Sequence, residues 1–235
     1  MKRIKFFAVA ALLAISSGAY AQFTNSSSNN SQITANTDGW STIWVEYNPI
    51  KMKYDAKGAD DESLTGFSAG YSHAFCVSQG APVFLEAGIG LQYAKYSDSK
   101  SAYVDGYGKL NVDQSITFWS AKVPVNILYC FELPNSSISL APFVGITLRY
   151  NLSGTLKYEA NDYSEKYDVF SDSDMDDLDF LDGKAWKRLQ LGWQIGLKAR
   201  LGQNFMAGIS YGNDFSEIAY KSKIQTTAIT VGYTF

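Results

Sequence analysis

Residues 223–235 read K-I-Q-T-T-A-I-T-V-G-Y-T-F. Counting back by twos from the final residue gives Phe235, Tyr233, Val231, Ile229 and Thr227. The alternate column is Thr234, Gly232, Thr230, Ala228 and Thr226. One column is apolar and ends in aromatics; the other is small and polar. A period of two with unlike faces predicts a β-strand, and the remaining chain must supply the strands it pairs with.

Seven further stretches alternate in the same way. The first is Trp40 to Tyr54, where Ile43, Val45 and Tyr47 oppose Thr42, Trp44 and Glu46; after Asn48-Pro49 the apolar parity passes to Ile50 and Met52, which predicts a β-bulge there. The others are Thr65 to Cys76, Pro82 to Tyr96, Ser115 to Phe131, Ile138 to Leu152, Trp186 to Leu201, and a seventh marked by Phe205, Ala207, Ile209 and Tyr211. Polar stretches are expected as loops at 55–63, 97–113, 153–185 and 213–222, with Asp105-Gly106 as a hairpin tip. Long connections follow strands one, three, five and seven; short ones follow two, four and six. An even-stranded membrane barrel with short periplasmic turns and long extracellular loops predicts this alternation.

The front end reads as a targeting segment. Lys2, Arg3 and Lys5 precede a short apolar run, and Ala19-Tyr20-Ala21 forms a cleavage motif, so residues 1–21 are expected to be a signal peptide. Residues 22–39, dominated by Ser, Asn and Thr, are expected to be a flexible periplasmic lead-in, and residues 40–235 the barrel. With 235 residues, a formal charge of −3, 16 Tyr, 14 Phe and 19 Gly, the chain suits one large β domain and gives no reason to expect nucleic acid.

A soluble barrel would place the apolar columns inside. Three features favour the opposite. The polar columns mix Gly and Ser with Arg, Lys, Glu and Gln. Aromatics (among them Tyr47, Tyr71, Phe75, Tyr93, Tyr150 and Tyr211) gather near strand ends, as interfacial girdles do. No Lys or Arg interrupts the middle of an apolar column, where one would cost about 2–4 kcal/mol in lipid. The expected fold is therefore an all-β, eight-stranded antiparallel up-and-down transmembrane β-barrel.

Residues 40–235 resemble the small outer-membrane barrels of the OmpA/OmpX type, and more closely the porin-like outer-membrane β-barrel domain proteins of Bacteroidetes. The resemblance rests on A-Y-A at 19–21, V-P-V-N-I-L-Y at 123–129, L-Q-L-G-W-Q-I-G-L at 189–197 and the terminal V-G-Y-T-F. It implies an outer-membrane location, contact with outer-membrane lipid and lipopolysaccharide, and a C-terminal strand (Val231, Tyr233, Phe235) read by the barrel-assembly machinery. It implies no catalytic motif and no cofactor.

Glu46, Glu86, Lys122, Arg149, Arg188, Lys198 and Arg200 fall in polar columns and are expected to fill the interior in salt bridges; the alternative is a narrow or gated porin-like pathway. His73 has the parity of the lipid-facing column, an interfacial position that leaves a lipid-modifying enzyme as a second alternative. Pro124 and Pro142 each remove a ladder donor on the paired fourth and fifth strands, as ordinary bulges or as a lateral opening. Asp172, Asp174 and Asp176 alternate as Ca²⁺ or Mg²⁺ ligands can, but Asp177 and Gly183 stand where an EF-hand loop needs Gly and Glu. Cys76 and Cys130 share inward parity on non-adjacent strands about 9–10 Å apart by sheet spacing, so two free thiols are expected, with a bridge in the oxidising periplasm as the alternative. Absence of CxxC, His-rich, Rossmann and P-loop patterns argues against metal and nucleotide enzymes. The expected role is a non-enzymatic structural or surface-interaction barrel whose loops can meet an extracellular ligand.

Overall fold

The computed structural model describes residues 39–55, 61–78, 81–104, 108–160, 163–176, 185–219 and 221–235. The expected signal peptide, the lead-in up to residue 38 and the Asp105-Gly106 tip fall outside these residues. The elements are β1 (Trp40–Tyr54), β2 (Glu62–Cys76), β3 (Val83–Val104), β4 (Gly108–Tyr129), β5 (Phe131–Glu132), β6 (Ile138–Ala160), β7 (Tyr163–Asp168), the short helix α1 (Asp172–Asp176), β8 (Leu189–Leu201), β9 (Phe205–Asp214) and β10 (Ser222–Thr234). Eight of the strands form a ring in chain order, β1-β2-β3-β4-β6-β8-β9-β10, closed by β10 on β1 with Val45 opposite Val231 and Tyr47 opposite Ile229. All neighbours are antiparallel. A closed ring leaves no free edge along its length. One end carries the tight connections together with Trp40 and Phe235 (the turn end); the other carries the long hairpins (the hairpin end).

The apolar column of the closing strand faces outward. Ile229, Val231 and Tyr233 are about half exposed, whereas Ala228, Thr230 and Thr234 are buried inside. Around the ring, Ile43, Leu85, Ile89, Ile127, Ile146, Ile195 and Ile209 face outward likewise. This rules out the soluble arrangement with its apolar columns inside.

Several local expectations are corrected. No register shift occurs at Asn48-Pro49: the pairing with β10 keeps one register from Tyr47–Ile229 to Ile50–Thr226. Residues 50 and 52 keep the inward parity of 44 and 48 and are buried. The apolar side chains change parity there because the outer surface turns polar at Lys51 and Lys53, not because the strand slips. The register shift lies between β4 and β6 instead, where Leu152 and Ser153 face outward in succession beside Trp119 and Ser120, moving the inward parity of β6 from Arg149 and Asn151 to Gly154 and Leu156. Much of the expected 97–113 loop is a hairpin, with pairs continuing to Val104–Gly108. The expected 153–185 loop holds the end of β6, all of β7 and α1. Trp186 precedes β8 as a buried cap residue.

Neither proline marks a bulge, and they interrupt different seams. The β3–β4 ladder skips Gly88 and Ile89 beside Pro124, while Pro124 still faces Thr147 of β6. Pro142 faces Leu197 of β8 normally and interrupts the other side, where β4 stops at Tyr129 and resumes as β5 in the same register. Each missing N–H thus opens its ladder only locally.

The interior is layered. At the turn end Trp40, Ala74, Phe84, Leu128, Ala141 and Phe143 form an apolar cluster, with Trp40 and Phe84 ring centroids 4.5 Å apart. At the hairpin end Ile50, Met52, Leu64, Ile116, Phe118 and Leu156 form a larger one. Polar side chains fill the middle. Small residues make the room: Trp44 lies over Gly70 and Gly90, where a Cβ on Gly90 would come within 2.5 Å of its ring.

Candidate functional site

Inward parity on separate strands brings three ion pairs into the middle layer. Lys122 on β4 donates to Glu46 on β1 at 2.6 Å; Lys198 on β8 donates to Glu86 on β3 at 2.5 Å; Arg149 on β6 donates to both oxygens of Asp214 on β9 at 2.6 Å. Each pair crosses the lumen, so it ties non-neighbouring strands that no backbone ladder joins. Asn48 and Ser68 also donate to Glu46, and Asn126 donates to Glu86 while accepting from Gln194 at 2.6 Å. Charges removed from water need this degree of pairing. Lys122 additionally lies 5.6 Å from the Trp44 ring centroid.

Five of the seven expected interior charges, Glu46, Glu86, Lys122, Arg149 and Lys198, therefore meet in pairs. Arg200 does not: its guanidinium stacks over Trp40 at 4.6 Å, in the turn-end layer. Arg188 lies above the barrel at the hairpin end, where it donates to the carbonyls of Asn151 and Leu152, covers Phe170 at 4.8 Å and sits 3.9 Å from Asp168. Asp214 escapes the sequence reading because residues 213–222 read as a loop. Extending the inward column of the seventh strand, Met206, Gly208, Ser210, Gly212, by one more step reaches it.

Two small spaces remain between these pairs. One of about 20 Å³ touches Glu46, Glu86 and Lys122; the other, of about 30 Å³, touches Lys122, Thr147 and Arg149. Each suits one or two waters. The two apolar clusters lie on either side of them along the barrel.

The acidic insert supplies the lid of the hairpin end. Val169, Phe170, Met175 and Trp186 pack into the larger apolar cluster, with Phe170 and Trp186 against Phe118 at 6.3 and 5.5 Å. Gly154 permits this, since a Cβ there would meet Phe170 and Val169 at 2.6 Å. The aspartates serve the lid's backbone. Asp174 accepts from the Asp168 N–H at 2.9 Å and from the Ser171 hydroxyl, bonds that hold its carboxyl below the usual range; Asp172 accepts from the Ala185 N–H at 3.2 Å. Among the described residues no three metal-ligating side chains converge, so Asp172, Asp174 and Asp176 are not gathered as a metal site.

On the outer surface aromatics cluster at both ends of the apolar band. Tyr47–Phe67, Tyr93–Trp119 and Trp193–Tyr211 stand toward the hairpin end at 5.4, 5.1 and 5.8 Å; Phe205–Tyr233 and Tyr233–Phe235 stand at the turn end at 6.1 and 6.3 Å. Beyond the upper aromatics Lys51, Lys53, Lys95 and Lys223 are exposed. The expected assembly residues Val231, Tyr233 and Phe235 are all on the outer surface. His73 also faces outward at the turn end. Its Nδ1 lies 2.9 Å from Ser41 Oγ, which is 2.8 Å from the Tyr71 hydroxyl, and its ring packs on Phe75 at 4.3 Å. The partner is Ser41 on the neighbouring strand, opposite His73 in register, not the adjacent Ser72, which is buried inside. Cys76 and Cys130 are free thiols beside the turn-end cluster, and Cys76 donates to the Ser78 carbonyl at 3.2 Å.

No protein-family model and no curated protein sequence matches the chain. Among solved structures it is similar to Ail, the attachment invasion locus protein of Yersinia pestis, in complex with the heparin analogue sucrose octasulfate (16% identity, covering 84% of this chain and 99% of Ail, TM-score 0.44). It is likewise similar to Neisserial surface protein A (12% identity, 84% and 100% covered, TM-score 0.43) and to a major outer membrane protein of Thermus thermophilus (12% identity, 84% and 100% covered, TM-score 0.38).

Proposed function

We propose that this chain is an integral outer-membrane β-barrel, exported by its N-terminal segment, with a filled lumen and a structural or surface-interaction role carried by its extended hairpins. The observation that carries the reading is the inversion of polarity at mid-barrel: apolar side chains ring the outside while three ion pairs lie inside. In water that arrangement exposes a continuous apolar belt and buries charge, both unfavourable; in lipid the belt is solvated and the charges are sheltered together. The exposed column from Leu85 to Tyr93 on β3 has about the length a tilted spanning strand needs. Past the upper aromatics the polarity reverts, with Lys51 and Lys53 outside and Ile50 and Met52 inside, as it must where the strand leaves lipid for water. Lysines at that level suit the phosphates of lipopolysaccharide, which orients the hairpin end toward the cell surface and the terminal Phe235 toward the periplasm and the assembly machinery.

The reading is of the small OmpA/OmpX kind and more closely of the porin-like barrels of Bacteroidetes, without conduction. Two apolar layers and three cross-lumen pairs stand in the path a solute would take. It is also non-enzymatic. What supports this part of the reading is that, among the described residues, His73 meets Ser41 without a carboxylate hydrogen-bonded to its ring, and that the Ser41 N–H is engaged by the Phe235 carbonyl at 2.9 Å. The test is to refold residues 22–235 in detergent, compare gel mobility with and without boiling, and place the protein in a planar bilayer. A heat-dependent shift with a silent bilayer is expected; discrete conductance steps would move the assignment to the gated-pore alternative, and altered lipid A or phospholipid in vesicles to the enzyme.

A further inference from the structure

The inner face of the hairpin-end wall carries a grouping separate from the mid-barrel ion pairs. Tyr54 on β1, Glu62 on β2, Tyr96 on β3, Tyr158 on β6 and Tyr167 on β7 all pack on the apolar cluster's upper side or stand directly beside it, and all are part-buried. The register explains the convergence. Leu64 of β2 is in the inward column with Glu62, and Tyr96 is opposite Ile116, Ile116 opposite Leu156, and Leu156 opposite Tyr167, so successive strands present these residues on the same side of the wall. The Tyr54 hydroxyl donates to Glu62 at 3.0 Å, and the Tyr158 and Tyr167 rings meet edge to face at 6.4 Å. Burial and then the Glu62 charge push the Tyr54, Tyr96 and Tyr158 phenols up, Tyr158 to about 12, and the Asp98 carboxylate adds to the effect on Tyr96, so Glu62 is felt by three phenols from three strands.

Charge is sorted across this wall. Lys51, Lys53, Lys95, Lys157, Lys166 and Lys223 stand on its outer face, and among the described residues no lysine or arginine pairs with Glu62. A carboxylate held by a phenol, close to further phenol rings and without a cationic partner, has the chemistry that selects an organic cation. The carboxylate supplies charge and the rings replace lost hydration.

We propose that Glu62, with Tyr54, Tyr96, Tyr158 and Tyr167, binds an alkylammonium group at the hairpin-end mouth. The group comes from a free amine or from a lysine side chain of a peptide. The test uses the full-length mature chain folded in detergent, its fold verified by the heat-dependent gel shift. It is titrated with tetramethylammonium, with a trilysine peptide and with neopentyl alcohol, a neutral analogue of similar bulk, while tyrosine fluorescence is read. Saturable binding of the cations but not of the alcohol is expected, weakened about five-fold or more by Glu62→Gln and by Tyr158→Leu and retained in Tyr158→Phe, which keeps the ring. Tighter binding of trilysine identifies a peptide as the source, and tighter binding of tetramethylammonium a small amine. Absence of saturation with both cations overturns the proposal, as does equal binding of the alcohol to the unaltered protein, a comparison that needs no variant to fold.

Discussion

Glu46 has four protein partners, Lys122, Asn48, Ser68 and Thr230, at 2.6 to 3.3 Å. Removing only the cation leaves a buried carboxylate without its counter-charge. Lys122→Ala is therefore expected to destabilise the barrel by about 3–5 kcal/mol, and Lys122→Met combined with Glu46→Gln by clearly less, because the second removes the stranded charge as well. Equilibrium unfolding in denaturant, followed by the gel shift, measures both; equal losses would show that the ion pair, not the orphaned charge, sets the cost. On the outer surface the sign of the rule reverses. Val45→Lys puts a charge among Ile43, Ala69 and Val231 at mid-band and is expected to cost about 2–4 kcal/mol, read in the same unfolding assay in lipid vesicles. At this scale the sequence shows that Lys122, Glu46, Arg149, Glu86 and Lys198 face inward, because parity alone decides it. It does not show who pairs with whom, since partners sit 65 to 112 positions apart and meet only when the ring closes.

Among the elements, the 153–185 insert departs furthest from its reading. Its aspartates suggest a solvated loop, and its few apolar residues, Val169, Phe170 and Met175, are too scattered for periodicity to register. They matter because they land together over Phe118. Phe170→Ala is expected to loosen the lid by about 3–5 kcal/mol. Limited proteolysis should then cut within 163–176 while the barrel keeps its gel shift; a variant as resistant as the parent would mean that Trp186 and Met175 hold the lid without it. The bulge is the other case. Apolar parity shifts both at Asn48-Pro49 and between Leu152 and Leu156, and the two look alike in sequence. Only in β6 does an extra residue cause the shift. In β1 the surroundings change and the strand does not.

For the molecule as a whole, polarity runs in three zones along the barrel axis, and each zone answers to a different probe. The mid-barrel zone, with its three ion pairs across the lumen, is expected to keep the folded form resistant to detergent and to leave a planar bilayer silent. The hairpin-end zone responds to alkali. The Tyr158 phenol is raised from 10.0 to about 12, so its neutral form is favoured by folding: the stability it contributes is complete below pH 10 and is lost as pH rises toward 12. The unfolding midpoint should fall across that interval, and Tyr158→Phe should fall less; a midpoint flat from pH 9 to 12 would contradict it. What the amino-acid order determined by itself was the eight strands of the ring, their alternation, which column faces out, and the succession of short and long connections. These follow from local periodicity, which each strand carries whether or not its neighbours are present. Only the tertiary structure decided the three cross-lumen pairs, the inclusion of Asp214, the lid over the hairpin end, the site of the bulge and the meeting of Glu62 with its tyrosines. Each of these depends on shear and closure, which bring distant inward columns to the same height, and no window along the chain contains that information.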